Sequence, residues 1–360
     1  MVYKVIGLMS GSSMDGLDIA YVQLDEIRGQ WSYEILHAEC VPYSDKWVAD
    51  LQHAASKNVG DFLKLNTRYG RYIADAVNEF IAKYELGHKV HFIASHGHTV
   101  FHEPGNNTTC QIGDGATIAA ITGLPVISDL RAVDIALGGQ GAPIVPIGDH
   151  LLFADYDYKL NIGGIANITV PHEDRVLAFD VCPANQALNI LAEREGKPMD
   201  EDGAMAAQGV LLADVLDDLN EGMYYKQPAP KSLSNEAARN LVFPKLMASE
   251  HTTYDLLRTV TQHIAEQIAI AVSKYPHSKE NAHMLVTGGG ALNAFLVLQL
   301  EQLLAPYKIT VMVPDASVVK YKEALVMALI GTLRWREEVN VLSSVTGAMR
   351  DSVGGALWLG

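Results

Sequence analysis

Two stretches of this chain are built to one plan, and that plan limits what the chain can fold into. Lys4–Val22, KVIGLMSGSSMDGLDIAYV, reads as an apolar strand, a glycine- and serine-rich turn, and a second apolar strand. Lys159–Val170, KLNIGGIANITV, repeats that order with little identity. Each is followed by a third strand-like run, Trp31–Ala38 in the first case and Arg175–Phe179, ending at Asp180, in the second. Strand, polar turn, strand is the pattern of an antiparallel hairpin with an enlarged turn. A device that recurs in order rather than identity predicts a duplicated architecture. The 360 residues are enough for two domains of ordinary size.

Between and after these devices, helical and strand patterns alternate, as in α/β domains. Phe62, Leu65, Tyr69, Tyr72, Ile73, Ala76, Val77 and Phe80 recur at three- and four-residue steps, one face of a helix, with Gly87 as a stop signal. Val90–Ala94 reads as a short strand running into Ser95-His96-Gly97-His98-Thr99. A helix over Ala116–Thr122 and a strand from Pro125 to Ser128 follow, then the Gly- and Pro-rich run 136–148. That run places a junction near residues 130–145. Later, Leu256, Leu257, Val260, Ile264, Ile268 and Val272 mark a long helix. His283–Val286 is a strand, Asn293–Leu304 a helix, Lys308–Val313 a strand and Tyr321–Glu337 a helix.

Three turns follow short apolar strands and set small residues where a ligand could reach backbone: Gly11–Gly16, Gly163–Asn167 and Gly288–Asn293. Glycine removes the Cβ that blocks close approach, and successive N–H groups can then cradle an anion. None is a Walker A loop and none is a Gly-x-Gly-x-x-Gly fingerprint opening a helix. A lone turn of this kind reads as a tight turn. Three, two of them in hairpins, point to nucleotide phosphates held between two facing domains.

The formal charge of −15, from 27 Lys+Arg against 42 Asp+Glu, disfavours nucleic acid and anionic membranes as partners. The N-terminus lacks a signal-peptide pattern, and the apolar helical run Ala324–Leu333 is far shorter than the roughly 20 residues a membrane span needs. Cys40, Cys110 and Cys182 are an odd number without metal-ligand spacing, which argues against a disulfide framework. A soluble cytoplasmic protein is expected.

The blocks LMSGSSMDGLD (8–18), SHGHTVFHEP (95–104), SDLRAVDIALGGQGAPIVP (128–146), LNIGGIANIT (160–169), FDVCPAN (179–185), PKSL (230–233), VTGGGALN (286–293) and EALVMALIG (323–331) occur in one order along nearly the whole chain. In these the sequence resembles the anhydro-N-acetylmuramic acid kinases of the sugar kinase, chaperone ATPase and actin superfamily. The resemblance implies an α/β fold of two actin-like (ribonuclease H-like) domains around a nucleotide cleft. Residues 1–132 with 338–360 would form one domain and residues 133–337 the other. It implies an ATP- and Mg²⁺-dependent enzyme that hydrolytically opens the 1,6-anhydro ring of anhydro-N-acetylmuramic acid and phosphorylates O6, in cell-wall recycling. It also implies a homodimer. Gly11, Ser12, Ser13, Met14, Asp15, Gly16, Leu17 and Asp18 would hold ATP phosphate. Gly163, Gly164, Gly288, Gly289 and Gly290 would contact phosphate and nucleoside. Asp180 matches the catalytic carboxylate. His96, Arg131, Asn185 and Glu323 fall at positions that hold the sugar or order the site.

Each assignment has a structural competitor. Asp180 could cap a turn before Pro183. Asp15 and Asp18 are candidates for Mg²⁺, but Asp15-Gly16 is also a common turn pair, so no metal ligand is assigned. Arg131 could pair with Asp129 or Asp134. Glu323 could favour a helix start for its dipole alone. His96, His98 and His102 resemble a metal cluster only superficially. Asp200, Glu201 and Asp202 read as a solvated acidic turn, and Cys182 as a small core filler. The family's turn Phe-Asp-Thr-Gly-Pro-Gly-Asn is here Phe179-Asp180-Val181-Cys182-Pro183-Ala184-Asn185. A Cβ at residues 182 and 184 costs about 1 kcal/mol or more if those backbones need positive φ. His98 stands where the family usually has Gln. Two other functions fit the same sequence: a nucleotide-gated regulatory protein of the superfamily, or a kinase of another small amino sugar.

Overall fold

The computed structural model describes residues 1–11, 14–172, 175–229 and 231–360. It is α/β, and the chain divides into two compact units, residues 1–153 with 321–360 and residues 154–320.

In the first unit, β1 (Val2–Ser10), β2 (Gly16–Ile27) and β3 (Gln30–Pro42) form an antiparallel meander. β4 (Phe92–Glu103) joins β1 in parallel, β5 (Thr108–Ile112) pairs with β4, and β6 (Val126–Ser128) lies parallel to β4. Val5, Ile6 and Leu8 are all buried, because helices cover β1 on both faces and a central strand then needs an almost continuous apolar run. The helix Val59–Lys83 starts at Asn58, whose side chain accepts the Asp61 amide. It buries Leu65, Tyr69, Ile73, Val77 and Phe80 against the sheet, at the spacing expected. The helix Gly115–Thr122 also forms as expected.

In the second unit, β7 (Tyr158–Ile162), β8 (Ile165–His172) and β9 (Arg175–Pro183) form another antiparallel meander. β10 (Ala282–Thr287) and β11 (Ile309–Met312) extend it in parallel. The helix Thr253–Ser273 buries Leu256, Val260, Ile264 and Ile268, and the helix Ala294–Leu304 buries Leu296 and Leu300, in one core with Leu160, Ile162 and Ile168. The strand order β3-β2-β1-β4-β6 of the first unit is matched by β9-β8-β7-β10-β11 in the second, with the same directions. The duplicated architecture therefore lies in topology. In the first unit β12 (Ala356–Trp358) adds an antiparallel strand beyond β6.

The unit boundaries fall at 153/154 and 320/321 rather than at 132/133 and 337/338. The reason is packing around the helix Ala316–Trp335, which breaks at Tyr321 (φ −117°, ψ 17°). After the break it runs so close to β1 that a Cβ on Gly7 would stand 1.9 Å from the Ala324 carbonyl oxygen. Asp149, on the short helix Pro146–Leu151, forms a 2.7 Å ion pair with Lys322 and keeps that segment with the first unit. No described helix is long and apolar enough to cross a membrane.

Candidate functional site

The first glycine turn links β1 to β2. Ser12 and Ser13 lie outside the described residues. Met14 has φ 56°, Gly11 accepts its amide, and Tyr43 N–H bonds the Asp15 carbonyl, so the turn is fastened to the end of β3. Gly16 begins β2, and the Leu17 side chain points into the core at 1% exposure. Leu17 thus offers a ligand no side chain. Asp18 is half-buried, and its carboxyl is pushed up to about 6 by burial, against a hydrogen bond with Cys40 and with repulsion from Asp15 and Glu323. The first unit therefore brings Asp15, Asp18 and Glu323 within electrostatic reach of one another.

His96 was expected at a strand end in a loop. It sits instead inside β4, because the strand continues to Glu103, and it is 3% exposed. Its Nδ1 lies 2.9 Å from the Gly97 carbonyl and its Nε2 accepts Arg131 Nε at 2.8 Å. Burial, helped by Arg131, holds the imidazole down at about 3, so it is a neutral acceptor. Arg131 also donates to the Gly141 carbonyl. Its expected structural partners go elsewhere: Asp134 takes the Gly141 amide and the Thr346 hydroxyl, and Asp129 takes the Ser128 hydroxyl. Burial lowers Arg131 to about 10, opposed by Glu323. Glu323 lies two residues past the break at Tyr321, in the first turn of the helical segment that follows it, as its place at a helix start implied. It keeps an exposed surface, yet it is surrounded closely enough that burial raises its carboxyl, against Arg131 and Lys322. His98 and His102 are engaged with Ser10 and Thr109, and no group of three metal-ligating side chains occurs among the described residues.

In the second unit, Asn185 gathers both remaining turns. Its amide donates to the Gly163 carbonyl and its side chain to the Ile162 carbonyl, while Ala184 N–H bonds Gly164 O. The Asn185 side chain also lies beside Gly289 and Gly290. Gly288 has φ +79°, and a Cβ there would stand 2.6 Å from Asn161 Oδ1. Gly163, Gly164, Asn185 and Gly288–Gly290 thus form one surface at the ends of β7 and β10.

Asp180 stands within β9, not in a turn beyond it. Its Oδ2 accepts the Leu233 amide at 2.7 Å, its own N–H bonds the Lys231 carbonyl, and Tyr224 OH donates to its carbonyl at 2.7 Å. Burial raises the carboxyl, and the Leu233 amide pulls it partly back. Cys182 is fully buried in the core, and burial pushes its thiol far up. Neither Cys182 nor Ala184 has positive φ, so their Cβ atoms bring no left-handed strain. The acidic turn differs from expectation: Asp200 is buried and caps the Met205 and Ala206 amides.

Two groups escaped the sequence reading. Beneath the first turn, Ser10 Oγ lies 3.0 Å from His98 Nδ1 and accepts Tyr43 OH at 2.8 Å, and Tyr43 OH lies 2.6 Å from Tyr69 OH. The substitution of His for Gln at residue 98 was the visible signal. Around Asp180, Lys231 and Leu233 were signalled only by the PKSL block, and Tyr224 by no motif.

The two units repeat one strand order, each with glycine turns at its strand ends, the layout of a duplicated actin-like α/β fold. The sequence profile of the family "Anhydro-N-acetylmuramic acid kinase" matches residues 3–360. The anhydro-N-acetylmuramic acid kinase of Francisella tularensis subsp. novicida is 34% identical, covering 95% of each chain. That of Shewanella amazonensis is 36% identical over 98% of this chain and 97% of its own. Component A of the Acidaminococcus fermentans (R)-2-hydroxyglutaryl-CoA dehydratase superposes with a TM-score of 0.47 at 14% identity, over 91% of this chain and 96% of that one. The chain belongs to the anhydro-N-acetylmuramic acid kinase family.

Proposed function

We propose that the protein uses ATP to open the 1,6-anhydro ring of anhydro-N-acetylmuramic acid and to phosphorylate O6, with Asp180 as the base. Family membership supports the substrate. The observation that carries the base is the state of the Asp180 carboxylate. Oδ2 is held by one backbone amide, and no other described protein group bonds the carboxylate, so Oδ1 is left for a water molecule. Asp180 takes a proton from that water as its oxygen attacks the anomeric carbon. The C1–O6 bond breaks, O6 attacks the γ-phosphorus, and the bond to the β,γ-bridging oxygen breaks to release ADP. Burial of Asp180 increases its basicity, which suits it to the role. Arg131, fixed by His96 and Gly141, presents a guanidinium suited to the lactate carboxylate or a phosphate. In the first unit Gly11 and Met14–Asp18 would offer backbone donors to the nucleotide; in the second, Gly163, Gly164 and Gly288–Gly290 would do the same.

The carboxylates of Asp15 and Asp18 are hard oxygen donors whose mutual repulsion a divalent cation would relieve, so they fit Mg²⁺. Bound there, Mg²⁺ would offset the charge of the phosphates. We place the enzyme in the cytoplasm as a homodimer, a state that light scattering measures directly.

With ATP, Mg²⁺ and anhydro-N-acetylmuramic acid, the protein should release ADP and sugar 6-phosphate in equal amounts. D180N should abolish turnover and keep nucleotide affinity. Normal turnover in D180N would remove Asp180 as the base, and ADP release independent of any sugar would point to a regulatory ATPase.

A further inference from the structure

The edge of β9 is closed by a segment that the reaction itself does not use. An edge strand leaves its outward N–H and C=O groups unpaired unless something covers them. At Asp180 both outward groups are taken by Lys231 and Tyr224: the N–H by the Lys231 carbonyl at 3.1 Å and the carbonyl by Tyr224 OH at 2.7 Å. Those two residues are in turn locked together. Lys231 Nζ donates to the Tyr224 carbonyl at 3.1 Å and lies 4.3 Å from the centre of the Tyr224 ring. Two residues on, the Leu233 amide holds the carboxylate. The ring of contacts runs Asp180, Lys231, Tyr224 and back to Asp180, and it closes on the residue proposed as base.

We infer that Tyr224 and Lys231 are positioning residues that fix the backbone of Asp180, and through it the direction of its carboxylate. The inference rests on Asp180 being the base. It gives the PKSL block a role, because Lys231 and Leu233 together take part in four of the five contacts. Position matters here because a catalytic group displaced by about 1 Å can lose about a hundredfold in rate. The brace acts without altering the charge of Asp180. Tyr224 touches its carbonyl rather than its carboxylate, and the acidity of Asp180 is governed by burial and the Leu233 amide.

The test compares Y224F, K231M and K231R with the wild type, using sugar-dependent ADP release across pH. Y224F keeps the ring and loses one hydroxyl. K231M keeps the stem and loses the donor and the cation. Each should lower kcat roughly tenfold, the equivalent of one hydrogen bond's worth of transition-state alignment. KM for ATP and sugar should stay within twofold, and the acid limb of kcat should stay at its wild-type pH. K231R, which retains both a donor and a cation over the ring, should recover most of the loss. Wild-type kcat in both Y224F and K231M would overturn the inference, as would a loss carried wholly by KM. D180N, assayed alongside, separates the two ideas. If D180N is inactive while Y224F and K231M are normal, the brace is wrong and the base stands. If D180N is active, the base assignment itself fails.

Discussion

His96 gives a quantitative test of how the Arg131 site is built. It is buried in β4 and neutral, held near a pKa of 3, whereas in an unfolded chain it titrates near 6.5. Below 6.5 the unfolded state therefore binds a proton that the folded state refuses. Stability is present above the unfolded value and is lost as the pH falls towards the folded one, with a limiting slope of about 1.4 kcal/mol per pH unit. Integrated from pH 7 to pH 5, this histidine alone costs about 2 kcal/mol. Arg131 and His98 both face the ring and oppose its protonation. The substitution H96Q keeps an acceptor for Arg131 Nε and removes the titration. The assay is urea unfolding followed by tryptophan fluorescence at pH 7 and pH 5. Trp31, Trp47, Trp335 and Trp358 all belong to the first unit, where His96 lies, so the signal reports that unit. Wild type should lose about 2 kcal/mol more than H96Q between the two pH values. Equal losses would show that His96 is charged or exposed in the folded protein, and the account of Arg131 would fall with it.

The contact between β1 and the returning helix makes G7V severely destabilising, since its Cβ has no space before the Ala324 carbonyl. A cost of about 3 kcal/mol or more is expected, seen as a drop of roughly 6–12 °C in the tryptophan-monitored Tm. A Tm within a degree of wild type would mean that the helix does not lie where the structure puts it. Thiol reactivity tests the strand that carries Asp180. Cys182 should be unreactive towards an aromatic disulfide reagent at pH 8 until the protein is denatured. Cys40, though exposed, should react slowly, because burial and Asp18 push its thiol up to about 12.

Elements with a strong local pattern were legible in the sequence. The Val59–Lys83 helix showed itself because its apolar residues repeat at helical spacing, and β7 because it is a short apolar run before a glycine turn. β12 did not, since three residues after Gly354-Gly355 carry no periodicity and only pairing with β6 makes them a strand. β4 was read too short because Gly97 and two histidines look like a loop. In the fold both histidines are buried, and hydrogen bonds to Arg131 and Ser10 offset the water they lose. Family motifs pointed to Asp180, Arg131 and Glu323, but not to what orients them. Tyr224, Lys231 and Leu233 reach Asp180 from 44 to 53 residues away in sequence, and such pairings are properties of topology rather than of spacing.

The discontinuity of the first unit fixes an order of events on the ribosome. Residues 154–320 are contiguous and can acquire their whole sheet as soon as they have emerged. The first unit, although translated earlier, must wait for residues 321–360 to bring the helix that covers β1 and the strand that extends β6. Until those residues arrive, β1 can be covered on the side of the Val59–Lys83 helix but not on the side that Ala324 closes.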